Sequence, residues 1–149
     1  DLPGSVFDLT APEYEGKVGL APTNGSFQDF ITAMRDLEGE EVAEKWLKDM
    51  KANDAQTYAN NNAIVEAVGR GEIPFGLVNH YYNYQFLAED PAHPARNHQL
   101  ASGDPGATLI TTAAAITAGC RYSTSSTSID EMFSPPEMMM SLERSLIFT

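Results

Sequence analysis

Cysteine and basic residues are the scarce side chains in this sequence of 149 residues. The only cysteine, Cys120, excludes an internal disulfide and a metal site made of several thiolates. The sequence has nine lysines and arginines in total and 21 aspartates and glutamates, so the formal net charge is −12 at pH 7. Because such a surface repels polyanions and no basic cluster offsets it, the composition argues against nucleic acid and anionic lipid as partners. A cation is the more natural partner.

Long apolar runs are also missing, since no stretch approaches the roughly 20 residues of a membrane-spanning helix. The first residues, DLPGSVFDLT, have neither the basic start nor the apolar core of a signal peptide. We therefore interpret the chain as a mature protein, a cytosolic protein or a piece of a larger one. Its length suits one domain with a core.

Short apolar segments alternate with amphipathic segments along much of the chain. Strands are predicted for KVGLA, AQTY and FGLVN, at residues 17–21, 55–58 and 75–79. Helices are predicted from Ser26 up to a stop at Gly39, over residues 40–53, after the asparagine run 60–62, and over residues 81–88. This alternation predicts an α/β fold with a mainly parallel sheet flanked by helices.

Apolar periodicity predicts which side chains of the first two helices face the core. On the first helix these are Phe27, Phe30, Ile31, Met34 and Leu37. On the second they are Val42, Ala43, Trp46, Leu47 and Met50.

The remaining sequence is less regular. Residues 89–106 predict a polar, proline-rich loop. Residues 107–149 predict a return strand, TLITTAAAI, a flexible connector, STSSTS, and a C-terminal helix. Ser134 as N-cap, Pro135 at the first helical position and Glu137 in a capping box mark the start of that helix.

Polar segments come directly after the predicted strands. Ligands of an open parallel sheet bind beyond the carboxyl ends of its strands, an edge that we call the ligand edge. Three segments reach it: PTNGSF (22–27), NNN (60–62) and the end of VNHYY (78–82). We therefore expect two helix N-termini, which can hold an anion, to converge with two phenols.

Each of these segments has a common structural explanation when it is taken alone. Asn, Gly and Ser are the usual residues of helix caps, and adjacent tyrosines most often serve packing or lie at the surface. His80, His93 and His98 lack the spacing of metal ligands, and Asp104 is first of all a turn residue.

Taken together, the motifs resemble a known family. VNHYY is preceded by APTNGSF and NNNAIVEAVGRGE and followed by AEDP and GDPG. At this spacing they resemble the ferric-iron-binding proteins of bacterial ABC importers, which are periplasmic solute-binding proteins of the two-lobed type 2 fold. The resemblance runs from SVFDLT to GDPGA and implies one lobe of that fold, the second, with residues 1–106 as an iron-ligating α/β lobe.

The resemblance implies that Tyr81 and Tyr82 coordinate Fe(III). The chemistry is sound, because a hard, highly charged ion favours anionic oxygen and drives the proton off a phenol. At a strand-to-helix junction both phenols can face one cleft, whereas adjacent residues of a strand point to opposite faces.

A synergistic anion, phosphate or carbonate, commonly completes the site in this family. The resemblance places it on Asn24, Gly25, Ser26, Asn61 and Asn79. Some relatives have a further tyrosine ligand where this chain has Phe27, so an anion-assisted site is expected here.

The family also implies a setting for the chain. Its members are longer, and their first lobe supplies a further His, Glu or Tyr ligand. The resemblance implies a periplasmic or membrane-tethered extracellular location and an ABC-importer permease as partner. The sequence after GDPGA does not resemble the family's continuation. Because the surface that docks the first lobe would be exposed, we also expect a homo-oligomer.

The predicted function is binding and delivery of Fe(III), without turnover. A binding lobe for phosphate or a similar oxyanion without iron is one alternative. An enzyme with a tyrosine as general acid is another, but the ligand edge offers it only amides, hydroxyls and His80 as partners.

Overall fold

A computed structural model describes residues 2–108 and Arg144–Phe148. All of these residues belong to one compact unit. None of the helices in the described part of the chain is long and apolar enough to cross a membrane.

A mixed sheet forms the centre of the fold. Its strands are β1 (Val18–Leu20), β2 (Gln56–Thr57), β3 (Phe75–Asn79), β4 (Arg96–His98) and β5 (Arg144–Phe148), in the order β2-β1-β3-β5-β4. β1 pairs in parallel with both β2 and β3, whereas β5 is antiparallel to both of its neighbours. The strands predicted at 17–21, 55–58 and 75–79 are confirmed.

Helices follow the parallel strands. They are α1 (Gly25–Glu38), α2 (Glu40–Ala52), α3 (Asn61–Gly69) and α4 (His80–Glu89). Short 3-10 helices lie at Val6–Thr10, Pro12–Tyr14 and Pro105–Ala107. The chain thus alternates between strand and helix through β3 and α4, which confirms the predicted α/β class with a parallel sheet flanked by helices.

Two apolar clusters cover the sheet. Leu77 of β3 packs with β1, with the first 3-10 helix and with the inner faces of α1 and α2, where Phe30 and Trp46 meet edge to face. Its neighbour Val78 packs with α3 instead. Because successive residues of a strand face opposite sides, these two contacts show that helices cover both faces of β3.

Helix faces follow the predicted periodicity with three exceptions. Phe27, Phe30, Met34, Ala43, Trp46 and Met50 are buried. Leu37, Val42 and Leu47 were expected in the core but are 61%, 39% and 38% exposed. Leu37 lies in the last turn of α1 and Val42 in the first turn of α2. The prediction was wrong for these three residues because the stripe that a partner covers is narrower than the stripe of apolar residues.

The end of the chain departs from the sequence-based expectation. Arg144–Phe148 form strand β5 between β3 and β4, so the C-terminal helix predicted from Ser134 was wrong over this segment. The residues that carry its predicted cap, and the predicted return strand and connector, lie outside the described residues. A short apolar run such as RSLIF suits a strand as well as a helix, and here the backbone groups of β3 provide a partner.

Residues 89–106 also hold more structure than a loop. β4 lies within them, paired with β5, and Pro105–Ala107 form a 3-10 helix capped by Asp104. Asp104 accepts hydrogen bonds from the Ser5 hydroxyl and from the amides of Val6 and Gly106. This carboxylate therefore fastens the chain's first helical turn to the segment after β4.

Candidate functional site

Three helices begin at the same edge of the sheet. β1 leads into α1, β2 into α3 and β3 into α4, and these three strands are parallel. The carboxyl ends of the strands and the N-termini of the helices therefore share the ligand edge. Each N-terminus carries the partial positive charge of its helix dipole.

Asparagine side chains organise two of these N-termini. Asn24 caps α1, because its Oδ1 accepts hydrogen bonds from the Ser26 amide at 3.0 Å and the Ser26 hydroxyl at 2.8 Å. Asn60 caps α3 by accepting a hydrogen bond from the Ala63 amide at 2.9 Å. The cap of α3 is thus the first asparagine of the run, which leaves Asn61 available for other contacts.

Asn61 connects all three segments of the ligand edge. It is fully buried, and its Nδ2 lies 3.3 Å from the Ser26 hydroxyl and 3.4 Å from Oδ1 of Asn79. Its own Oδ1 has no hydrogen-bond partner. A buried acceptor without a partner is costly, and an amide oxygen can be satisfied only by a hydrogen-bond donor or a cation.

Asn79 ends β3 and is the N-cap residue of α4. It is 2% exposed, and its side chain makes no capping hydrogen bond to α4. Its Oδ1 accepts from Asn61 instead. The first turn of α4 therefore lacks a side-chain cap, and this turn carries the two tyrosines.

Tyr81 and Tyr82 form a stacked pair in that turn. Their ring centroids are 4.4 Å apart at an interplanar angle of 30°, and both side chains are half-buried. Burial raises the pKa of the Tyr81 phenol, and the hydrogen bond and charge interaction with Tyr82 raise it further. The stacked rings therefore place the two phenols side by side on the first turn of α4.

Two further aromatic residues surround the pair. His80 is 8% exposed, and its ring meets the edges of Tyr81 and Tyr84 at centroid distances of 6.2 Å and 5.5 Å. Asn97 of β4 donates a hydrogen bond to the His80 carbonyl. Sequence reasoning did not include Tyr84, although its spacing of three residues from Tyr81 places both on one side of α4.

The structure thus brings together most of the predicted site residues. Hydrogen bonds link Asn24, Ser26, Asn61 and Asn79, and the tyrosines follow Asn79 after one intervening residue, His80. Gly25 opens α1 without a positive φ, and a Cβ there would meet nothing within 4 Å. Phe27 lies away from this group, since it is 3% exposed and packs on Phe30 and Trp46.

The three described segments that meet at the ligand edge carry no charged side chain. The segments 24–26, 60–62 and 79–84 contain only Asn, Gly, Ser, His and Tyr. In the part of the chain that the structure describes, no three His, Cys, Asp or Glu residues lie together as metal ligands. The phenols are therefore the anionic oxygen ligands that this edge can offer to a metal.

Comparison with known proteins assigns the family. Residues 1–135 match the family model of the bacterial extracellular solute-binding proteins. The chain belongs to this family. The similarity to ferric-iron-binding relatives expected from the sequence is confirmed as well. The chain is 36% identical over 118 residues to the major ferric iron-binding protein of Neisseria meningitidis serogroup A, a match that covers 78% of this chain and 35% of that protein.

Two other relatives agree with this result. The Fe(3+)-binding periplasmic protein of Serratia marcescens is 29% identical over 123 residues, which cover 81% of this chain and 36% of the relative. The crystal structure of iron-bound HitA from Pseudomonas aeruginosa matches with a TM-score of 0.67 and 39% identity, over 71% of this chain and 34% of HitA. The match spans about a third of the length of these solute-binding proteins, which fits a single lobe.

Proposed function

We propose that this chain binds Fe(III) through the phenolates of Tyr81 and Tyr82, with an anion held beside them. The observation that carries the proposal is the stacked tyrosine pair in the uncapped first turn of α4. This arrangement offers two oxygens to one ion. It also places the negative charge that metal binding creates at a helix N-terminus, where the helix dipole stabilises it.

Loss of the phenol protons is the chemical cost of binding. The pKa of Tyr81 is raised in the protein, so its phenol is protonated at neutral pH before a metal binds. A ferric ion supplies enough positive charge to displace both protons, as metals do with other weakly acidic ligands. Iron binding then releases protons, and its affinity rises with pH.

The anion occupies the other part of the ligand edge in this proposal. Asn24, Gly25 and Ser26 form the N-terminus of α1, while Asn61 and Asn79 stand between it and the tyrosines. Backbone N–H groups of a helix N-terminus bind phosphate or carbonate well. An anion bound there would fill coordination positions of the iron that the two phenolates leave open.

The relatives support iron as cargo. Ferric iron appears in the names of the Neisseria and Serratia proteins, and the HitA structure is iron-bound. We extend this function to the present chain, with binding and delivery rather than turnover. A periplasmic or membrane-tethered extracellular location and an ABC-importer permease as partner belong to the same proposal. Self-association stays a prediction, which light scattering over a concentration series would test.

Oxyanion binding without iron is the second candidate function. It is favoured by the asparagine and serine cluster, because those residues form a connected group in which no phenol takes part. In that case phosphate would bind with the same affinity whether or not Tyr81 and Tyr82 are present.

Titration with a soluble ferric chelate tests the proposal. We expect a visible phenolate-to-iron charge-transfer band, which weakens in Tyr81→Phe and in Tyr82→Phe and disappears in the double variant. Tyr14→Phe is the matched control, because Tyr14 precedes β1 and packs against Phe75 at the opposite end of β3 from the ligand edge. An unchanged band in the double variant would remove the pair from the metal site. Phosphate binding without any band would favour the second candidate.

A further inference from the structure

Two hydrogen bonds join the first turn of α4 to residues 95–97. Nδ2 of Asn83 donates to the Ala95 carbonyl at 3.3 Å, and Nδ2 of Asn97 donates to the His80 carbonyl at 3.2 Å. One bond starts from the helix and the other from β4, so they run in opposite directions. His80 directly precedes the two tyrosines and Asn83 directly follows them. The two bonds therefore hold the tyrosine turn at both of its ends.

The two partners of this contact differ in how firmly they are held. The first turn of α4 has no side-chain cap, and an uncapped helix end frays easily. Residues 95–97 are fixed in the fold, because Ala95 is fully buried and β4 pairs with β5 in the central sheet. The asparagine bonds thus attach a weakly supported turn to a well-supported segment.

The burial of Asn83 shows what its hydrogen bond adds. Asn83 is fully buried and its Oδ1 has no hydrogen-bond partner, a cost that an apolar side chain of similar volume would avoid. The Ala95 carbonyl does not depend on Asn83 either, since it also accepts a hydrogen bond from the Arg96 guanidinium at 2.8 Å. The distinct effect of the Asn83 bond is to fix the position of α4 against residue 95.

The position of this turn matters for a tyrosine pair that shares one ion. Adjacent residues of an α-helix point in directions about 100° apart around its axis. Two neighbouring phenols therefore reach a common ion only in a restricted conformation of the turn. Metal ligands that are held loosely lose affinity, even when all of them are present.

We propose that Asn83 and Asn97 are positioning residues, which hold the first turn of α4 in the conformation that directs Tyr81 and Tyr82 at one ion. This inference rests on the proposed function. Both asparagines act through the backbone of the turn or of its neighbour and supply no metal ligand. They lie outside the three segments that the sequence predicts for the ligand edge.

Titration of the full chain with ferric nitrilotriacetate tests this role in Asn83→Leu and Asn97→Ala. Each variant should bind iron about tenfold more weakly, as when other residues that orient metal ligands are replaced. The wavelength of the charge-transfer band at saturating iron should also shift, because it reports the geometry of the iron–phenolate bonds. Thermal unfolding establishes that each variant is folded. Asn97 is only half-buried, so Asn97→Ala carries the test if Asn83→Leu does not fold.

Asn53→Leu is the matched control. Nδ2 of Asn53 donates to the carbonyls of Leu9 and Ala11 at 3.1 Å and 2.9 Å, a contact of the same chemical kind. Asn53 is the C-cap residue of α2 and precedes β2, so it lies at the sheet edge opposite the ligand edge. This variant should lose stability but keep the iron affinity within about twofold of the parent, with an unshifted band.

Circular dichroism of the iron-free protein in the near ultraviolet gives a second measurement. Stacked phenols couple to each other, so the part of the tyrosine signal that Tyr81→Phe removes reports the pair. This part should shrink in Asn83→Leu and Asn97→Ala and remain unchanged in Asn53→Leu.

The outcomes separate this inference from the proposed function. Parent-like iron affinity and band position in folded Asn83→Leu and Asn97→Ala overturn the positioning role and leave the tyrosine site standing. Equal changes in Asn53→Leu overturn it too, since a general loss of stability would then explain all three variants. A parent without any iron band overturns the proposed function. In that case the iron-free dichroism decides: loss of the pair signal supports the positioning of the tyrosines, and an unchanged signal overturns it.

Discussion

The ligand edge and the outer surface of α1 and α2 differ in the charge and the burial of their polar side chains. The outer surface is densely charged, with ion pairs Arg35–Glu40, Lys45–Asp49 and Lys48–Glu44 whose side chains are 37% to 75% exposed. The described segments of the ligand edge carry uncharged polar side chains, and two of these, Asn61 and Asn79, are only 0% and 2% exposed. The chain thus keeps its charges where water screens them.

The difference indicates where a charged ligand would be stabilised. An ion pair at the surface gains little, because water already solvates both charges. Dipoles that are fixed at a buried edge are already oriented and partly desolvated, so they interact strongly with an ion that arrives. In this chain the unpartnered Oδ1 of Asn61 and the paired phenols of Tyr81 and Tyr82 are the groups in that state.

The largest effect on phosphate binding and on stability is expected when a charge is placed at the buried ligand edge. Asn61→Asp adds a carboxylate to a fully buried position, beside the proposed anion. We expect it to abolish phosphate binding and to lower the free energy of unfolding by about 3 kcal/mol or more, the cost of an uncompensated buried charge.

Asn62→Asp is the control for this change. Asn62 is the next residue of α3 but is exposed, and a negative charge in the first turn of a helix is stabilising. Calorimetric phosphate titration and urea unfolding of both variants would test the prediction. Similar effects at the two positions would show that net charge matters more than burial.

The turn between the two charged helices provides the next test. Gly39 ends α1 and precedes α2 with φ 97° and ψ 159°, a conformation that is essentially restricted to glycine. Gly39→Ala should lower the free energy of unfolding by about 1–3 kcal/mol. Gly25→Ala, whose added Cβ meets nothing within 4 Å, is the control and should be nearly neutral for stability.

Iron binding by the Gly39→Ala variant is a second measurement. Because Gly39 lies away from the ligand edge, the iron charge-transfer band of folded Gly39→Ala should match the parent. A weakened band at full folding would mean that the α1–α2 turn controls the geometry of the edge.

The sequence was informative about this edge for a physical reason. A parallel strand leaves its carboxyl end at one edge, so the polar residues after KVGLA, AQTY and FGLVN had to meet there. The structure confirms this convergence through the hydrogen bonds of Ser26, Asn61 and Asn79. The orphaned Oδ1 of Asn61 was not predictable, because burial and hydrogen-bond partners depend on three segments at once.

The antiparallel half of the sheet escaped prediction for a different reason. β4 has three residues inside a proline-rich segment, and RSLIF of β5 carries no period that separates strand from helix. Both strands exist because they pair with each other and with β3, a contact between residues far apart in the chain. Leu37, Val42 and Leu47 show the same limit, since periodicity does not reveal how much of a helix face its neighbour covers.

The pH titration of Tyr81 tests the environment of the ligand edge without any change of charge at neutral pH. Burial and the contact with Tyr82 raise the pKa of Tyr81 above its ordinary value of 10.0. The folded protein therefore holds this proton more tightly than the unfolded chain. The resulting stability is fully present below about pH 10 and is lost as the pH rises through the raised pKa.

The near-ultraviolet absorbance of phenolate measures this directly. Tyr81→Phe should remove one phenol from the high-pH end of the titration curve of the folded protein. In denaturant the same substitution should remove one phenol of ordinary pKa, which provides the control. Loss of a phenol that titrates at the ordinary value in the folded state would contradict the effect of burial and of Tyr82.

The smallest effect on the free energy of unfolding is expected for an ion pair on the outer surface of α1 and α2. Arg35 and Glu40 form an ion pair across the α1–α2 turn with side chains 51% and 67% exposed. Because water screens both groups, Glu40→Gln should change the free energy of unfolding by less than about 1 kcal/mol, and added salt should shrink the difference further. Urea unfolding at low and high salt measures both quantities, and phosphate binding should stay at the parent value. A loss of unfolding free energy well above this limit and insensitive to salt would contradict the prediction. It would show that the charged side chains of the outer surface contribute strongly to stability.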